Sequence, residues 1–196
     1  MTDLVDTYLL HWSPPKAIWI AGSTLSWDAR CAGIYAGFAV GVLFHFFRAA
    51  RSNRLPPSPL LAAAMLLAVP LFADVSSIAL GLREASNDWR FATGILFGQA
   101  LSAFVFPALV TLSGKAAGGR AALAGAASFA AFLLIALAVF LAKSVPLYAA
   151  YVLLESLAVF GCASLVCMLG AGVALSLAAG SFPDQSHGRE SGIGSR

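Results

Sequence analysis

Two carboxylic acids, Asp74 and Glu155, stand inside apolar runs, and two arginines, Arg30 and Arg90, stand at the starts of others. An ionised acid near the centre of a bilayer costs on the order of 2.5–3.5 kcal/mol on insertion scales, so such a residue faces a partner or water rather than acyl chains. Asp74 precedes Arg83 by nine residues and Glu155 follows Leu147 by eight. Helical rise then puts them about 13 Å and about 12 Å beneath one surface. Gln99, nine residues past Arg90, reaches a similar depth, and Tyr35 lies one or two turns below Arg30. Guanidinium forks suit phosphate oxygens, and an acid beside them can orient a hydroxyl or exchange a proton. The expectation is an outward-opening polar pocket bounded by Arg30, Tyr35, Asp74, Arg90, Gln99 and Glu155, with Asn87 among its ligand-binding groups and the arginines bending inward to the acids, Arg90 toward Asp74 in particular. A salt-bridge network that only holds the helices together is the competing expectation.

The elements that must position these groups are membrane helices. Of 196 residues, 60% are hydrophobic and 11% charged, and the mean hydropathy is +0.85. A soluble domain carries roughly 25% charged residues. Five spans are read at residues 29–47, 59–82, 91–112, 121–142 and 147–179, which makes residues 1–180 one all-α membrane bundle with no separate soluble domain. The last span exceeds the length a bilayer needs and can tilt, extend or break near Gly170 and Gly172. The segment before span one is interrupted by Ser13-Pro14-Pro15-Lys16 and is expected to lie along the interface. A polar, glycine-rich tail from Ser181 is expected to be disordered. The first 30 residues lack a basic start followed by an unbroken apolar core, so no cleavable signal is expected.

Lysine and arginine in the gaps set the orientation. One side holds Arg48, Arg51, Arg54, Lys115, Arg120, Arg189 and Arg196, and the other Lys16, Arg30, Arg83, Arg90 and Lys143. The RxxRxxR cluster at 48–54 reads as cytoplasmic, placing the N-terminus outside and the C-terminus inside a bacterial inner membrane. Trp12, Trp19, Trp27 and Trp89 then share the outer headgroup layer. The net charge of +3 reports topology; no nucleic acid is expected as a partner.

Glycines at every fourth position let helices approach closely. Gly33, Gly37 and Gly41 form such a stripe in span one, and Gly94 with Gly98 a second in span three. These two spans are the candidates for tight contact. Ser86 or Asn87 is read as the cap of span three. His45 and His11 are each read as solitary interface histidines. Cys31, Cys162 and Cys167 form neither a CxxC pair nor a metal spacing, so no metal and no cofactor is expected. Hydrolase, metalloprotease, phosphate-loop and dinucleotide motifs are missing, and no reaction is specified.

The blocks Arg30-Cys31-x-Gly33-Ile34-Tyr35-x-Gly37, Asp74, Ser86-Asn87-x-x-Arg90 and Thr93-Gly94-x-x-x-Gly98 resemble a family of small bacterial and archaeal membrane proteins of unknown function. Its signature reads Cys-x-Arg-Cys-x-Gly-Ile-Tyr-x-Gly near the start. The likeness covers roughly the first half of the chain. Asp28 stands where that signature has its first cysteine, and an upstream Cys-His pair is missing, so no thiol or metal role passes to Cys31. The resemblance implies the Tyr, Asp and Arg positions as site residues and brings no activity.

Three functions follow as expectations. The first is binding of an anionic lipid head group or lipid-linked phosphate for transport or lipid modification. The second is a non-catalytic subunit or assembly factor that packs through glycine faces on another membrane protein or on itself. The third, a proton pathway through Asp74 and Glu155, lacks groups in the inner half, where His45 is the main titratable side chain.

Overall fold

The structure is a computed structural model that describes residues 16–49, 57–113 and 123–180. His11, Trp12, Arg51, Arg54 and the tail from Ser181 lie outside the described residues.

The chain enters as a hairpin. Strand β1 (Ala17–Ile20) pairs antiparallel with β2 (Ser23–Asp28). Ala21 and Gly22 join them with φ of 50° and 81°, and a two-residue turn with both φ positive matches the twist of paired strands. Alternation does the rest: Ile18 and Ile20 are buried while Trp19 between them is 67% exposed. The described part of the segment expected along the interface is a hairpin, because Ala-Gly supplies the turn and Ile-Trp-Ile the period of two.

Helix α1 (Ala29–Ala49) follows without a linker. Asp28 caps it, its Oδ1 accepting from the Arg30 backbone N–H at 2.9 Å. The expected second span is two helices, α2 (Ser58–Leu66) and α3 (Val69–Ala79). Pro70 causes the break: it has no N–H for the Leu66 carbonyl, and its ring crowds that oxygen. The third span begins earlier than expected, as α4 (Asn87–Leu112). Ser86 sits at its cap position but makes no side-chain capping bond. The fourth span is α5 (Ala126–Ala142), shorter than the expected 121–142; its 17 residues rise about 25 Å, at the lower limit for crossing a bilayer. The last is one unbroken helix, α6 (Tyr148–Gly180), running through Gly170 and Gly172.

Among the described residues four stretches are long and apolar enough to cross a membrane: Ala29–Arg48, Ser58–Ala79, Asn87–Leu112 and Tyr148–Leu177. The molecule is an all-α membrane bundle with a small hairpin at one end. Helices α1, α4 and α6 run parallel, since Gly33, Gly37 and Gly41 meet α4 at Gly94, Ile95 and Ser102 in turn, while Ser26 and Tyr35 meet α6 at Glu155 and Gly161. Ile18, Ile20 and Leu25 of the hairpin bury against Ala29, Ala32, Phe91 and Leu154 at the near ends of these three. The hairpin therefore covers the centre of the bundle.

Candidate functional site

Asp74 is the most deeply placed acid, with 2% of its side chain exposed. Its Oδ2 accepts from Arg30 Nη2 at 2.6 Å, and its Oδ1 pairs with Arg83 Nη2. Arg83 reaches it because of how α3 ends. Gly81 adopts φ 68°, its N–H donating to the Ile78 carbonyl and the Leu82 N–H to the Ser77 carbonyl, both near 3 Å. This pattern needs a left-handed residue one place past the C-cap, Leu80, which glycine supplies without a Cβ clash. The reversed chain lays Arg83 back over the last turn of α3, where its Nε donates to Ser77 Oγ at 2.9 Å. The Ser77 hydroxyl in turn donates to the Asp74 carbonyl, also at 2.9 Å.

One carboxylate between two guanidinium groups leaves this cluster with a net charge of +1. It opens sideways. A groove of about 430 Å³ between α3 and α4 is lined by Pro70, Ala73, Asp74 and Ser77 on one wall, and by Arg83, Trp89 and Thr93 on the other. Pro70, Ala73, Asp74 and Ser77 fall at i, i+3, i+4 and i+7, one stripe of a helix. The groove is thus charged toward the hairpin end and apolar below.

The seven residues expected to line one pocket fall into separate places. Asp74 lines the lateral groove, and Arg30 is tied to it through its ion pair with that acid. Asn87 and Glu155 hold the hairpin: Asn87 Nδ2 donates to the Ala17 carbonyl at 3.1 Å, and Glu155 Oε2 accepts from the Ser26 N–H at 3.2 Å. Arg90 Nη1 donates to Asn87 Oδ1 at 3.5 Å, and its buried Nε meets no hydrogen-bond acceptor among the described residues. Arg90 is therefore not the partner of Asp74; Arg30 and Arg83 are. Tyr35 packs its ring edge-on to Trp27, 4.9 Å between centroids, beneath the hairpin. Gln99 is fully buried, donating from Nε2 to the Phe132 carbonyl of α5 at 2.7 Å. The outward-opening pocket is replaced by a lateral one because the hairpin closes the end of the bundle. Glu155 misses it because α6 starts well above α1, which brings residue 155 level with Ser26 rather than with Asp74.

Below the cluster α1 and α4 touch backbone to backbone. A Cβ on Gly33 or Gly37 would overlap the Phe91 or Ile95 carbonyl, and one on Gly94 or Gly98 would overlap the Arg30 or Ile34 carbonyl. At Gly41 it would strike the Ser102 hydroxyl. A sixth glycine, Gly161 of α6, meets the Tyr35 carbonyl in the same way; with leucines at 157 and 165, it carries no four-residue repeat. His45 is 1% exposed, boxed by Phe44, Phe106 and Phe132 and stacked on Phe106 at 5.6 Å. It is a core residue, correcting the interface reading, because its face of α1 turns toward α4 and α5.

Residues 10–104 match the family model "Predicted membrane protein (DUF2085)". That range takes in Arg30, Asp74, Arg83, Asn87, Arg90 and Gln99, and leaves out Glu155. The chain is 30% identical over 104 residues to an uncharacterized protein of Methanocaldococcus jannaschii, a match covering 53% of this chain and 65% of that protein. It is also 30% identical over 95 residues to an uncharacterized protein of Methanothermobacter thermautotrophicus, covering 48% of this chain and 82% of that protein. No solved structure matches it.

Proposed function

The chain belongs to the predicted membrane protein family DUF2085, and from that premise we propose that its lateral groove binds the phosphate of an anionic lipid head group or a lipid-linked phosphate. The ligand serves a transport or lipid-modifying step at the outer leaflet of the cell membrane, with the hairpin end outside. The carrying observation is the Arg30–Asp74–Arg83 cluster with its surplus positive charge, whose Asp74 and Arg83 line a groove between two apolar helices. Buried ion pairs are not strong evidence of stability in themselves. Two arginines on one acid at such a groove suit a ligand that brings a second negative charge. Arg83 Nη1 donates to the Glu84 carbonyl at 3.3 Å and Nη2 pairs with Asp74; a phosphate would take the second N–H of each, with Trp89 beside it at interfacial depth and a chain running down past Ala73 and Pro70.

Because both Asp74 oxygens already meet guanidinium groups, the acid's role here is to hold the arginines in position. A proton-carrying role would need it open to a donor, and His45 lies sealed among aromatic rings. Packing on a partner through the glycine stripes is disfavoured, since those glycines already face helices of their own chain.

The test is retention of phosphatidylglycerol against phosphatidylcholine by protein in nanodiscs of equal parts, read by native mass spectrometry. Arg83→Lys keeps the charge and loses the fork. It should fall by about tenfold in relative phosphatidylglycerol retention, the worth of one charge-assisted contact. Wild-type retention by a normally folded Arg83→Lys protein would remove the head-group assignment.

A further inference from the structure

A second groove lies on the next face of α4. Its walls are Ala92, Ile95 and Leu96 of α4 and Leu133, Leu137 and Phe140 of α5, it encloses about 600 Å³, and every residue lining it is apolar. One ion pair stands a helical turn beyond its hairpin end. Lys143, the residue that ends α5, pairs with Asp88 in the first turn of α4. The Lys143 ammonium also stands 4.4 Å from the centroid of the Phe140 ring, which itself lines the groove. Each charge suits its helix terminus, a cation at a C-terminal end and an anion at an N-terminal one. The two side chains differ in exposure: that of Lys143 is 10% exposed and that of Asp88 is 74%. The pair thus presents a positive group next to the groove and a negative group just outside it.

We propose that this groove holds one acyl chain of a zwitterionic phospholipid with a primary amine, of the phosphatidylethanolamine type, its phosphate on Lys143 and its ammonium on Asp88. The order of charges matches: going outward from the chain, the lipid presents a phosphate and then an amine, and the protein a lysine and then an aspartate. An anionic head group would set its charge beside Asp88 with nothing to offset it. A quaternary amine has no N–H to donate to the carboxylate. This site shares no residue with the Arg83 groove and does not depend on it.

The measurement is lipid retention in nanodiscs of equal parts phosphatidylethanolamine, phosphatidylcholine and phosphatidylglycerol, again by native mass spectrometry. Wild type and Arg83→Lys should both retain phosphatidylethanolamine over phosphatidylcholine. Lys143→Met, which keeps an apolar stem over Phe140, should lose that preference by about tenfold. Leu137→Trp, which fills the groove and leaves the ion pair intact, should lose it too, so a folding defect in the lysine variant leaves the question decidable. No preference in wild type, an unchanged preference in Leu137→Trp, or loss of the preference in Arg83→Lys would overturn the inference.

Discussion

The seam between α1 and α4 and the groove between α3 and α4 occupy two faces of one helix, and they differ in what they can accept. On the seam face Gly94 and Gly98 lie against the carbonyls of Arg30 and Ile34, leaving no volume for a methyl group. On the groove face Trp89 and Thr93 look across open space at Ala73 and Asp74. The seam fixes the height of α4 against α1, and with it the level at which Arg30 meets Asp74. One face is rigid so that the other can stay open.

The contrast breaks most visibly at the seam. Gly98→Val puts branched carbons into the Ile34 carbonyl and Phe38 N–H region and should cost at least about 3 kcal/mol, the upper range for overpacking. Unfolding in sodium dodecyl sulfate measures it. Gly170→Ala, where nothing lies within 4 Å, is the control and should stay within about 0.5 kcal/mol of wild type. Both substitutions raise helix propensity, so comparable losses at both positions would mean that contact with α1 does not explain the first.

Next in size is Asp74→Ala. Removing one partner of a buried pair commonly costs about 3–5 kcal/mol. Here the arginine side chains remain 27% and 31% exposed, so the lower end, about 3 kcal/mol, is expected. The same denaturant titration reads it, and a cost under about 0.5 kcal/mol would mean the cluster is not formed.

The seam was legible in the sequence because a four-residue glycine repeat has one structural meaning in a membrane helix. Asp74 was legible because an acid in an apolar run must find a partner. Which partner was not. Arg83 lies beyond the end of α3 and reaches Asp74 only through the glycine turn at 81, a local reversal invisible to depth counted along straight helices. The same counting misplaced Glu155, since it assumed that every apolar run starts at one surface. The hairpin is not legible in the sequence because two paired strands of four and six residues carry little periodic signal beside a Pro-Pro break. Its presence changes the pocket from outward-opening to lateral.

A smaller effect separates the hairpin straps from the groove. Asn87→Ala deletes the bond to the Ala17 carbonyl and should cost about 1 kcal/mol. Hydrogen exchange should quicken at residues 17–28 with phosphatidylglycerol retention unchanged. Lost retention would move Asn87 into the binding site.

The account turns most directly on where an anionic lipid touches the protein. Phosphatidylglycerol carrying a photoreactive diazirine beside its phosphate, cross-linked in nanodiscs and mapped by peptide mass spectrometry, gives that location. The expected result is labelling concentrated at Ser77, Arg83 and Trp89 and lost in Arg83→Lys. Labelling concentrated on the hairpin and residues around Glu155, or spread evenly around the bundle, would contradict a lateral binding groove.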